Sequence, residues 1–216
     1  FPNNKTIYWW YFLEEYIRKN NSVDLSGIGL DIKFKCESLE QKNNSYNYIR
    51  EELRRASYAI HVNFANKVCG VTDLEVLNKK LNLSWEEVKE LSEEPLVTIG
   101  AHTVHHVSLA NQKEELTKNE IFQSKSQIEA KINKRVDHFA YPYGSLDDGS
   151  KREFSFLEKA GFKSAVFNHP GSLFSVYGEN KFKIPRMGLT DETSQKKVLD
   201  LFEGKVHLNF NGANKT

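Results

Sequence analysis

The segment Leu96 to His106, LVTIGAHTVHH, decides how the rest of the chain is read. Its first half is apolar and rich in β-branched residues, and Pro95 stands just before it, so it reads as a short buried strand. Its second half puts three of the chain's seven histidines, His102, His105 and His106, directly past the strand end. From Leu96 onward the pattern of strand, turn and helix repeats. NQKEELTKNEIFQSKSQIEAKIN reads as a helix opened by Asn111 with Glu114 three residues on, and VDHFAYP as the next strand, broken by Pro142 and Gly144. SKREFSFLEKAG reads as a helix closed by Gly161, FKSAVFN and FKIPRMGL as strands, and TSQKKVLDLFEG as a helix closed by Gly204. Alternating strands and helices predict a parallel α/β architecture.

The first 83 residues read differently. Trp9, Trp10, Leu13, Tyr16 and Ile17 recur at helical spacing, as do Tyr46, Ile49, Leu53 and Ala56. Between these sets, Ile28, Leu30, Ile32 and Phe34 alternate as in a strand or hairpin arm. Two capping boxes follow, Thr72 with Glu75 and Ser84 with Glu87, each able to satisfy helix-end N–H groups reciprocally. A chain of 216 residues buries a sizeable core as one domain. The expected organisation is therefore a single domain, with residues 1–83 a mostly helical elaboration and residues 84–190 the motif-bearing core.

Composition narrows the function. Thirty basic residues against twenty-nine acidic ones give a formal charge of +1, with no basic block to track phosphates, so nucleic acid is not an expected partner. No apolar run reaches the roughly 18 residues of a membrane span. Cys36 and Cys69 are too far apart for a metal clip and too few for a disulfide framework. The compartment stays open, whether cytoplasm or the site of cell-envelope synthesis, and so does the oligomeric state.

In a parallel α/β fold the chemistry collects where strands end, which places His102 at the functional rim. His102 and His106, four apart, can turn both imidazoles toward one point, and neutral imidazole ligates zinc at about 2.0–2.1 Å. Capping or solvent-facing histidines are the alternative. His61 and His138, in a helix and a strand, read as satisfied structural histidines.

HTVHH, followed by the FAYPYG that ends at Gly144, resembles the polysaccharide deacetylases of carbohydrate esterase family four. His102, Thr103 and His106 match the family's His-Ser/Thr-x-x-His motif, and Pro142 and Tyr143 its Pro-Tyr/Phe motif, with Gly144 supporting the turn. The likeness extends through LEKAGFKSAVFNHPG and IPRMGL, over about residues 84–190. It implies a distorted, incomplete (β/α) barrel. It also implies a metal-dependent hydrolase that removes N-acetyl groups from a polysaccharide or lipid-linked sugar, with a divalent ion, zinc first, on His102 and His106. The Tyr143 amide would serve the oxyanion hole. His105 falls at a position the motif leaves open, facing solvent or supporting a ligand from behind.

Three departures qualify the likeness. The family's Asp-Asp pair, which gives a metal ligand and a general base, has no counterpart before the histidines; Asp147–Asp148 lies after the second matched motif and reads as a helix cap. The expectation is that the pair lies upstream and that this chain alone barely turns over. A catalytically inactive carbohydrate-binding relic of the same fold is the alternative. The arginine usual in the third motif is replaced by Ala140, leaving Arg186 as the candidate to orient the aspartate. The late general-acid histidine has only His207, or His169, to stand for it.

Overall fold

In a computed structural model, which describes residues 8–68, 82–169, 181–186, 188 and 193–203, the aromatic stripe at the start forms helix α1 (Trp9–Lys19). It buries Trp9, Leu13 and Ile17 of the expected stripe and also Phe12, while Trp10 and Tyr16 are partly buried against the same core. A small antiparallel hairpin follows, β1 (Ser22–Asp24) against β2 (Lys33–Lys35), with Val23 opposite Phe34. The strand is shorter than the alternation over residues 28–34 predicts. Asp24 Oδ1 instead accepts from the N–H (2.9 Å) and hydroxyl (2.6 Å) of Ser26, fixing a 3₁₀ turn over Ser26–Ile28. Helix α2 (Leu39–Arg55) opens on a Ser38/Gln41 capping box and buries Ile49 and Leu53. Helix α3 (Tyr58–Val68) adds Phe64 and His61. Leu13, Leu25, Ile49, Leu53 and Phe64 are fully buried at the centre of this first core.

The second core surrounds a parallel array. Ala101 pairs with Phe139 of β3 (His138–Ala140), β3 pairs in register with β4 (Ser164–Val166), and Val166 pairs with Ile184. The four segments lie side by side in sequence order. The Ser84/Glu87 capping box opens α4 (Trp85–Glu93) as its spacing predicts. Helix α5 (Glu114–Ile132) runs between the first two segments of the array and α6 (Lys151–Lys159) between the next two, while α7 (Gln195–Phe202) comes last. Val107, Leu109, Ile121, Phe139, Tyr141, Leu157 and Phe167 form the interior.

Two expectations are corrected here. LVTIGA is not a buried strand: only Ala101 enters the ladder, while Leu96 is 99% and Val97 38% exposed. The reason is positional, because no described segment pairs with the outer side of Ala101, and of the branched side chains only Ile99 packs on the core. Among the described residues the array is open at both ends, so they form a mixed α/β fold with no closed barrel, which an incomplete barrel allows. Finally, α5 begins at Glu114 after Lys113, which supplies no side-chain cap. Asn111 sits one turn earlier in a 3₁₀ segment and donates to Ser108 Oγ at 2.8 Å. Glu114 and Glu115 complement the helix dipole instead. Gly161 ends α6 at φ +78°, as expected. Thr72, Glu75, Cys69, Gly204 and His207 lie outside the described residues.

Candidate active site

The chain leaves the array at Ala101 and enters a loop whose shape is dictated by side chains from elsewhere. His102 Nδ1–H donates to the carbonyl of Ala140 at 2.7 Å, a bond that fixes the tautomer with its proton on Nδ1. Thr103 and His106 both sit in the left-handed region, at φ +62° and +56°. For a β-branched residue that is a strained conformation, and such strain persists only where surroundings impose it. Thr103 Oγ1 accepts the His106 N–H at 3.0 Å, closing the turn. Glu120, buried on α5, accepts the N–H of Val104 (2.7 Å) and of His105 (2.9 Å) through one oxygen. Its other oxygen meets His105 Nδ1 at 2.5 Å. The His105 ring also packs on Tyr58 with centroids 4.0 Å apart. His105 is thus a strut of the loop, whose effect on the site runs through Glu120.

The two remaining imidazoles stand together, with centroids 4.8 Å apart and planes at 75°. Burial pushes His106 down to about 3, and the neighbouring His102 adds to the effect. Burial likewise lowers His102, against the opposing bond to Ala140, and the Arg186 charge lowers it further. Both rings are therefore neutral at pH 7, the form that ligates metal. Arg186 is exposed, its backbone N–H bonded to the His169 carbonyl at 3.0 Å.

The second loop is built as tightly. Tyr143 has φ +61° and Gly144 φ +72°. A Cβ on Gly144 would stand 2.5 Å from the Asn168 nitrogen, which itself donates to the Gly144 carbonyl at 2.7 Å, so only glycine fits. The Pro142 carbonyl accepts the Gly144 N–H at 2.7 Å. Among the described residues the Tyr143 N–H has no hydrogen-bond partner. Its ring lies 4.9 Å from that of His106 and packs on the first core, which joins the readings of this tyrosine as site and as core. Burial pushes the Tyr143 hydroxyl above the usual range, with the Trp9 indole as its neighbour.

Asp148, read from the sequence as a cap, does cap the 3₁₀ turn Leu146–Asp148, accepting the N–H (2.8 Å) and hydroxyl (2.7 Å) of Ser145. It does more than that. Its fully buried carboxylate also accepts Ser108 Oγ (2.7 Å) and Arg54 Nη2 (3.1 and 3.2 Å), and the Arg54 guanidinium lies 5.6 Å from the Tyr143 ring centroid. Arg54 and Glu120 carry no local sequence signal; each looks like one charge among many on a helix face. His61 Nε2 meets the Leu53 carbonyl at 2.6 Å and His138 Nδ1 the Ser164 hydroxyl at 2.8 Å, both structural as expected.

A cleft of about 560 Å³ opens at His106 and Tyr143, walled by Trp9, Trp10, Arg50, Glu51, Arg54 and Asn168. His102 lines two neighbouring hollows, of about 250 and 330 Å³. The imidazole pair thus stands between the cleft and these hollows. The donor chemistry fits a borderline divalent ion at two positions. Among the described residues no third His, Cys, Asp or Glu joins them.

The site thus combines an open parallel array with a histidine loop at its strand end. The sequence model of the polysaccharide deacetylase family matches residues 60–165 of the chain. The match begins within α3, earlier than residue 84. The fold is similar to that of the Streptococcus pyogenes deacetylase PplD in complex with acetate, at 20% identity and a TM-score of 0.52, covering 60% of this chain and 55% of that one. IcaB from Ammonifex degensii is matched at 22% identity and a TM-score of 0.41, over 53% of this chain and 51% of that one. The chain spans about half the length of each of these structures. No curated protein matches it by sequence. No described helix is long and apolar enough to cross a membrane.

Proposed function

We propose that the cleft removes an N-acetyl group from an N-acetylated polysaccharide or lipid-linked sugar, within an incomplete (β/α) barrel, with a zinc-class ion as cofactor. The observation that carries this reading is the presentation of the histidines. His102 is held by Ala140 through Nδ1, and the His106 ring stands neutral beside it, with centroids 4.8 Å apart. These two residues would hold the ion, and when bound it would supply a hydroxide-like water at neutral pH. A carboxylate from outside the described residues completes the ligand set and takes the proton. The chain's own contribution is orientation. The Tyr143 N–H, held by the Pro142–Gly144 turn, points a donor where the acetamide oxygen gains charge. Arg186 supplies a positive charge near His102, and His207 is kept as the candidate proton donor to the leaving amine.

The test is acetate release from N-acetylglucosamine oligomers with and without chelator, for the wild type, His102→Ala and His106→Ala, using this chain and any longer form of it. Chelator-sensitive release abolished by either substitution supports the reading. Release that ignores chelator and both substitutions refutes it. One observation favours a second reading, a carbohydrate-binding relic: the described residues offer the ion two ligands where catalytic zinc takes three. Oligosaccharide binding without acetate release from every form of the chain would select it.

A further inference from the structure

The wall of the cleft facing His106 comes from the first core, outside the motifs that carry the family resemblance. We propose that Trp10 is the platform on which the substrate's sugar ring stacks, and that the ring it accepts is an uncharged N-acetylated pyranose. The proposal rests on the deacetylase reading and deepens it.

The Trp10 indole lies 5.1 Å from the His106 ring with planes at 53°. It is braced edge-on by Trp9 (5.5 Å, 82°) and Tyr8 (5.4 Å, 81°). Trp9 is 2% exposed and immobile in the core, whereas Trp10 is half-buried on the cleft wall. A rigid indole beside the reacting centre meets the C–H face of a pyranose and loses little conformational freedom in doing so. The cleft volume, about 560 Å³, falls in the range that holds one small ligand unit.

The same cleft supplies polarity without net charge. Arg54 is bound to Asp148 and Glu51, and Arg50 to Glu51 at 3.2 Å. Two cations face two anions, so a carboxylate or phosphate gains no uncompensated partner there. The half-exposed Arg50–Glu51 pair instead offers adjacent donors and acceptors, the arrangement that vicinal hydroxyls match.

The experiment is calorimetric titration of the full chain, with zinc present, using the N-acetylglucosamine tetramer and a hyaluronan tetrasaccharide as neutral and anionic probes. The wild type should bind the neutral tetramer more tightly. Trp10→Phe should stay within a few-fold, while Trp10→Ala and Trp10→Leu should weaken binding about tenfold or more, the loss of one stacked face. Trp10→Leu keeps apolar bulk, so it remains informative if the alanine variant folds poorly. Equal affinity for wild type and Trp10→Leu overturns the platform while leaving the deacetylase reading intact. Preference for the anionic probe overturns the charge argument. Failure of the wild type to bind either probe sinks the proposal together with the reading beneath it.

Discussion

Replacing Asp148 with asparagine should destabilise this protein by about 3 kcal/mol, although the change is isosteric and lies behind the cleft. The carboxylate is fully buried and accepts from four donor groups: Arg54 Nη2, Ser108 Oγ, and the N–H and hydroxyl of Ser145. An amide offers one oxygen. Its NH₂ can face the Ser108 hydroxyl, which rotates to accept, but it then also faces the Arg54 guanidinium, a donor only. One charge-assisted bond is lost at about 1.5–3 kcal/mol, and the guanidinium, 17% exposed, keeps only Glu51 as its anion. For a chain of this length about 3 kcal/mol corresponds to roughly 6–12 °C in Tm. Urea unfolding followed by circular dichroism measures the loss, and the Asp148→Asn, Arg54→Met double mutant measures the coupling. A single mutant within 0.5 kcal/mol of wild type, about the spread of neutral surface changes, would show that the carboxylate is not the anchor described here.

Three further outcomes follow from the same geometry. Gly144→Ala should cost about 3 kcal/mol or more because φ +72° is strained for alanine and the Asn168 backbone blocks the methyl, whereas Gly161→Ala, at φ +78° in open space, should cost only about 1 kcal/mol; equal losses on thermal unfolding would contradict this. His106, at about 3 in the fold, binds its proton in the unfolded chain first, near 6.5, so its contribution is complete above pH 6.5 and falls as pH drops toward 3. That slope removes about 2 kcal/mol by pH 5 relative to His106→Asn, a residue that also tolerates φ +56°; parallel stability profiles for the two would refute it. Glu120→Gln should loosen the histidine loop, with amide exchange at Val104 and His105 accelerated about tenfold or more, a bond worth about 1.5 kcal/mol; unchanged exchange would rule out Glu120 as its anchor.

Much of this was legible where the signal is local. The stripe of α1, the Ser84/Glu87 cap, the Gly161 stop and the Asp148 cap all depend on residues within a few positions of one another. The histidine loop was legible because strand ends collect chemistry, and His102 and His106 do come together. What failed was anything set by distant neighbours. LVTIGA has the composition of a core strand, but only Ala101 found a partner, and composition cannot report what lies alongside. Arg54 meets Asp148 across 94 positions and Glu120 reaches back 15 to grip a loop, and neither leaves a periodic trace. His105 looked incidental because its partner lies on a helix whose acids all resemble solvated ones.

The joint between the two cores sets the order in which the molecule assembles. Tyr143 belongs to a loop of the second core yet packs its ring into the first, and Arg54 crosses the other way to Asp148. Each core can condense from largely local contacts, and the Thr103–His106 turn is held within the second core by Glu120, but the left-handed turn at Tyr143 is completed only once these crossings are made. The cleft between the cores is then the last thing to mature, and the first lost when the halves part: mild denaturant should open the cleft while most helix remains.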